Sequence, residues 1–165
     1  MSKDNLTILQ VRDFLNYDAN TGIFTWKRRA ARCVQIGDIA GCVEKRIGYA
    51  SIGLFGHVYK SHRLAWFYIH GEWPIGLIDH INGIKTDNSL INLRIVSAEG
   101  NSQNIHNPNK RNKSGFIGVI WFQNKWRASI TIKGKTNWLG DFSSPEEAHQ
   151  VYLSAKRKYH STCTI

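Results

Sequence analysis

The segment LIDHINGIKTDNSLINLRIVSAEGNSQN, residues 77–104, sets an Asp-His pair, Asp79 and His80, between two isoleucines and then returns to asparagine at Asn92 and Asn101. A carboxylate and an imidazole flanked by apolar residues are costly to bury unless something uses them. Aspartate and asparagine oxygens are hard donors of the kind that hold magnesium, an ion that keeps several waters and takes further oxygens from phosphate. A histidine beside them can act as a general base for water. The pattern therefore suits activation of water next to a metal-bound phosphate.

Those residues can cooperate only if the chain folds back on itself. LIDHI reads as a short strand, NGIKTDNSLIN as a polar loop, LRIVS as a second strand and SAEGNSQNI as a helix. Ser97 is the expected N-cap, with Glu99 in the first turn and Asn101 one turn in. If the second strand and the helix return onto the first strand, Asp79, His80 and Asn101 converge on one small site. Upstream, TILQVRDFL has helical spacing, and YDANTGIFTWKRR reads as a hairpin turning at Asn20, Thr21 and Gly22. YASIGLF reads as strand, followed by a turn at Gly56 and His57. The next stretch, VYKSHRLAWFYIHG, is expected to be helical with Leu64, Ala65, Tyr68 and Ile69 on its buried face, ending at Gly71.

The 165 residues suffice for one ordinary domain or two small ones. With 42% hydrophobic and 21% charged residues the chain reads as globular, and it has no apolar run long enough to span a bilayer and no signal-peptide pattern, so a cytoplasmic location is expected. Three cysteines, Cys33, Cys42 and Cys163, form no CxxC pair and point neither to a disulfide framework nor to a cysteine zinc site. The formal charge of +10 favours polyanions. Its distribution is uneven, since residues 107–165 hold 10 basic and 3 acidic side chains while residues 1–106 hold 12 and 9. The stretch NIHNPNKRNKSG is polar and basic, and it reads as a linker. Three units follow: residues 1–106, a basic linker over 107–113, and a basic module over 114–165.

Within that module WRASITIK alternates strictly, sending Trp126, Ala128, Ile130 and Ile132 one way and Arg127, Ser129, Thr131 and Lys133 the other. Strands are expected over 116–122, 125–133 and 136–140. They would pack on a helix capped by Ser144, with Pro145 at its first position and Ala148, Val151, Tyr152, Ala155 and Tyr159 as its buried stripe. The fold class expected is α+β.

The order Asp79-His80, Asn92, Asn101 inside a strand-loop-strand-helix resembles the HNH nuclease motif, the ββα-metal site of phage-encoded homing endonucleases. The likeness extends upstream through YDANTGIFTWK and SHRLAW. It implies that Asp79 and Asn101 bind Mg2+ (or Mn2+), that His80 deprotonates the attacking water, and that Asn92 holds the histidine or its loop. The segment SGFIGVIWFQNKWRASITIKGKTNWLGDFSSPEEAHQVY resembles the plant ethylene-response-factor DNA-binding domain, also called the Apetala-two fold. That likeness implies a sheet lying in the major groove, with Gly118, Ile120, Phe122, Arg127, Ser129, Thr131, Lys133 and Trp138 on its outer face.

The expected activity is that of a metal-dependent DNA endonuclease, site-selective and nicking, acting as a monomer on double-stranded DNA without a membrane partner. The residues expected to contact DNA are Arg63, Arg94, Lys110, Arg111, Lys113, Arg127, Ser129, Thr131, Lys133 and Trp138. The competing expectation is a DNA-binding regulator on an inactive nuclease fold. His57, His62, His70, His106, His149 and His160 have no ligand-like spacing and read as structural or surface residues. Deleting residues 112–165 is expected to leave a weak, unselective nuclease.

Overall fold

A computed structural model describes residues 6–105, 107–109 and 111–164. The architecture is α+β, with four α-helices and several small antiparallel sheets among the described residues. Two compact units result, Met1–Val96 and Ser97–Ile165. The division falls ahead of the helix of the strand-loop-strand-helix segment, whereas the sequence reading placed that helix in the first unit. His106 and Lys110 lie outside the described residues.

In the first unit, helix α1 (Ile8–Phe14) starts from a capping box in which Thr7 Oγ1 accepts from Gln10 N at 3.3 Å and Gln10 Oε1 accepts from Thr7 N at 2.9 Å. Strands β1 (Leu15–Tyr17) and β2 (Phe24–Trp26) form the expected hairpin. Gly22 closes its turn at φ +72°, and a Cβ there would fall 2.2 Å from the Ser89 backbone nitrogen, so the position excludes a side chain twice over. Strands β3 (Cys42–Val43), β4 (Ala50–Leu54) and β5 (His57–Lys60) make a three-stranded sheet.

Sequence reasoning missed β5. Phe55 and Gly56 both have positive φ, +51° and +78°, which makes a two-residue hairpin turn and pairs Leu54 with His57 at once. Helix α2 therefore begins only at Ser61 and runs to His70, ending at Gly71 in the left-handed conformation. Leu64 and Ala65 are buried as expected, but Ile69 is exposed while His62 and Phe67 take buried places. Phe67 stacks on Trp73 at 4.3 Å, and Trp73 stacks on Tyr59, joining α2 to β5. Strands β6 (Leu77–His80) and β7 (Leu93–Val96) pair antiparallel, and a short 3-10 turn (Leu90–Asn92) leads into β7. Ile78 and Leu93 anchor this pair in the core.

In the second unit, helix α3 (Ala98–Gln103) is capped as expected by Ser97, whose Oγ accepts from Gly100 N at 3.1 Å. Strands β8 (Val119–Phe122), β9 (Lys125–Ile132) and β10 (Lys135–Phe142) form one antiparallel sheet, and helix α4 (Pro145–Tyr159) packs on it through Ala148, Tyr152 and Ala155. β8 starts later than expected because Asn112 and Ser114 take the carbonyls of Phe116 and Val119 into a turn. Asn112 and Ser114 thus belong to the start of the sheet. The stripe of α4 also departs from expectation: Tyr159 is exposed, and Lys156 is 1% exposed. Among the described residues no helix is long and apolar enough to cross a membrane.

Candidate functional site

Alternation along β6 sends Asp79 and His80 to opposite sides, yet both are buried, because α2 and the β3-β4-β5 sheet lie in the same core as this strand pair. Asp79 faces Arg94 directly across the ladder, and Arg94 gives both Nε (2.9 Å) and Nη2 (2.7 Å) to Asp79 Oδ2. Arg94, expected on DNA, is therefore first of all the partner of Asp79.

His80 lies among Tyr49, His62 and Asn88. Its ring centroid is 5.2 Å from that of His62, edge to face, and 5.8 Å from that of Tyr49. Nε2 is 3.3 Å from Asn88 Oδ1. The amide of Asn88 is oriented by its own Nδ2, which donates to Thr86 O at 3.3 Å, so the atom facing His80 is an acceptor. The tautomer with its proton on Nε2 suits this contact. Burial lowers the His80 pKa, against the opposing pull of the Asn88 bond and of the Asp79 and Asp87 carboxylates. The neutral imidazole is the form this environment favours.

His62 is more strongly affected: burial, followed by the charges of His80, Arg63 and Lys60, pushes it down to about 3. Its buried Nδ1 has no hydrogen-bond partner. Neither Asn88 nor His62 was singled out from sequence. A signal for Asn88 was present in the run TDNS, where Asp and Asn favour loops that bond their own backbone. His62 had none, because its neighbour His80 is distant in sequence and α2 and β6 meet only in the folded unit.

The loop between β6 and β7 is held by its own polar side chains. Asn92 Oδ1 accepts from Asn82 N at 2.9 Å, and Asn92 Nδ2 donates to Asp87 O at 2.8 Å. Asp87 accepts from the Ser89 hydroxyl at 2.7 Å and from Asn82 Nδ2 at 2.6 Å, and the Ser89 hydroxyl is the main reason its pKa lies below the usual carboxylate range. The β1-β2 hairpin supports the far side: Tyr17 Oη donates to Asn88 O at 2.7 Å, and Leu90 N donates to Ala19 O at 2.9 Å. Burial, first of all, raises the Tyr17 hydroxyl to about 12, so it remains a donor.

Arg63 donates to Pro74 O at 3.0 Å and Gly76 O at 3.2 Å, tying α2 to the turn that feeds β6. Asn101 is exposed on α3, in the other unit. In that unit Arg127, Ser129 and Trp138 share one face of the sheet with Ile120 and Thr136 around a shallow hollow of about 330 Å³. Arg127 is paired through both Nε and Nη2 with Asp141, lies 3.9 Å over the Phe122 ring, and holds the Asp141 carboxyl down to about 2. Trp138 Nε1 donates to the same carboxylate at 3.3 Å. Arg111, Lys113, Thr131 and Lys133 are exposed.

No group of three or more His, Cys, Asp or Glu side chains is gathered to hold a metal among the described residues. A carboxylate and an amide oxygen, completed by water and phosphate, nonetheless fit the way magnesium is held in phosphate chemistry, where one or two protein oxygens suffice.

Residues 59–103, from β5 to the end of α3, match the HNH endonuclease family. Protein 3.8 of Escherichia phage T7 is 37% identical over 79 residues, covering 46% of this chain and 64% of that protein. The chain thus spans less than two thirds of the length of this phage relative. No solved structure matches the chain.

Proposed function

We propose that the protein is a metal-dependent DNA endonuclease of phage origin, of the site-selective homing type, that nicks one strand. The observation that carries this reading is His80: a buried imidazole whose neutral form its surroundings favour, in contact with Asn88 and beside Asp79, in a segment that matches an HNH endonuclease. In this reading Asp79 and Asn101 hold a divalent cation, Mg2+ or Mn2+, which when bound supplies positive charge to the scissile phosphate and the departing oxygen. His80 Nδ1 takes the proton of the attacking water, and Asn88 keeps Nε2 protonated through the step. Asn92 keeps the Asn82–Asp87 loop closed beside the histidine. Arg94 fixes the carboxylate of Asp79. The C-terminal sheet, read as an Apetala-two-like module, chooses the site through Arg127, Ser129, Thr131, Lys133 and Trp138, and Lys110, Arg111, Lys113 and Arg63 serve phosphates.

The Arg94–Asp79 pair favours the second reading, a DNA-binding regulator, because a guanidinium competes with a cation for that carboxylate. Supercoiled DNA incubated with the protein and magnesium decides between them. Cutting that stops with chelator and falls about 10²- to 10⁴-fold in His80→Ala is expected from loss of the general base. Equally uncut DNA with wild type and variant across many substrates rules out the enzyme. Asp79→Ala and Asn101→Ala should abolish cutting with DNA affinity retained within a few-fold.

A further inference from the structure

Helix α3 has six residues, far below the length at which a helix holds itself in water. It carries Asn101, a metal ligand in the function proposed above, and a ligand that wanders costs metal affinity. Something else must fix this helix. The restraints inside the C-terminal unit come from α4 and the residues after it.

Lys156, buried at the C-terminal end of the α4 stripe, donates from Nζ to the carbonyl of Ile105 at 2.7 Å, just beyond the end of α3. Burying an ammonium is unfavourable unless it is paired. Here its hydrogen bond runs to a backbone carbonyl, and the Tyr152 ring lies 6.0 Å away. Thr162 Oγ1 donates to Gly100 O at 2.7 Å, the residue immediately before Asn101, and lies 3.2 Å from Gln103 Oε1. Thr164 Oγ1 donates to Asn104 Oδ1 at 2.8 Å, and Asn104 is itself buried. Three side chains from one end of the unit thus grip α3 at its middle, at its last turn and just past its end.

We infer that Lys156, Thr162 and Thr164 are positioning residues for Asn101, holding in place the one ligand that the C-terminal unit supplies in the function proposed above. The inference rests on the reading of Asn101 as a ligand. It replaces the expectation that a chain without residues 112–165 remains a weak nuclease: such a chain keeps Asn101 and the Ser97 cap but loses the bonds from Lys156, Thr162 and Thr164.

The test uses the full-length chain carrying Lys156→Met, which keeps the packed stem and removes the donor, or Thr162→Val. Amide exchange at residues 100–104 is measured by NMR. Manganese binding is measured by calorimetry in the presence of DNA in a His80→Ala background, which retains both ligands. Exchange of the α3 amides about tenfold faster, with manganese bound several-fold more weakly and DNA affinity within about twofold, is the expected result for loss of one such bond. Unaltered α3 exchange in both variants overturns the grip, and faster exchange with unaltered manganese binding overturns its role in positioning Asn101. Amides of β9 report whether Lys156→Met loosens the whole unit. If they do exchange faster, Thr162→Val, outside the stripe, decides. A His80→Ala protein with no other change that binds no manganese, or binds it equally with Asn101→Ala added, sinks the parent reading instead.

Discussion

His80 and His62 share a pocket but respond to acid in different ways. For His80, burial holds the pKa below the ordinary imidazole value, so the proton-accepting form persists into mildly acid solution and cutting is lost only as pH falls through that lowered value. Replacing its partner by Asn88→Asp puts a carboxylate on Nε2 and favours imidazolium. The acid limb of the pH–rate profile should then move up by about one unit or more, and an unmoved limb would show that Asn88 does not set the state of the base. For His62 the consequence concerns stability. Its pKa is about 3 when folded and near the ordinary imidazole value of 6.5 when unfolded, so between those values the unfolded chain binds more protons. Stability is complete above the unfolded value and declines as pH falls toward the folded one. The melting temperature should drop by roughly 5 °C or more between about pH 7 and about pH 4, and the drop should be smaller in His62→Gln.

Among the elements, the β1-β2 hairpin bears on the site through contact rather than chemistry. Gly22 lies against the backbone of Asn88 and Ser89, and Asn88 in turn faces His80. Gly22→Ala adds a side chain where φ is positive and where Ser89 N leaves no room. It should cost about 2 kcal/mol or more in a urea melt and slow cutting along with it. Unchanged stability would mean that the hairpin does not brace the loop. Much of this was readable in the sequence, because α1, the hairpin, the two site strands, the Ser97 cap and the β9 alternation rest on local pattern. What escaped it depends on distant partners. β5 was hidden because VYK continues smoothly into SHRLAW, and only positive φ at Phe55 reverses the chain early enough to make a strand. Lys156 was absent from the expected stripe of α4, since its acceptor, the Ile105 carbonyl, is distant in sequence. Arg94 looked like a phosphate contact because nothing in LRIVS reveals that its register faces Asp79.

At the scale of the whole molecule, positive charge is concentrated in the C-terminal part, so binding should weaken steeply as salt rises and counterions are no longer released to advantage. Binding that ignores salt would contradict this account. In the proposed function one base and one cation cut one phosphodiester, so with limiting enzyme open circles should accumulate well before linear DNA; linear product first, from a dimer in sedimentation, would require a second copy. The division between Val96 and Ser97 carries a lesson for protein engineers. Hybrids that exchange target readers would naturally be spliced in the basic stretch around residues 107–113, which looks like a seam. A graft made there would pair α3 with a foreign α4 and separate the last motif asparagine from Lys156 and Thr162. A crossover at Val96 lets the short helix travel with its own scaffold, and hybrids joined at that point are the ones expected to inherit both a new address and a working blade.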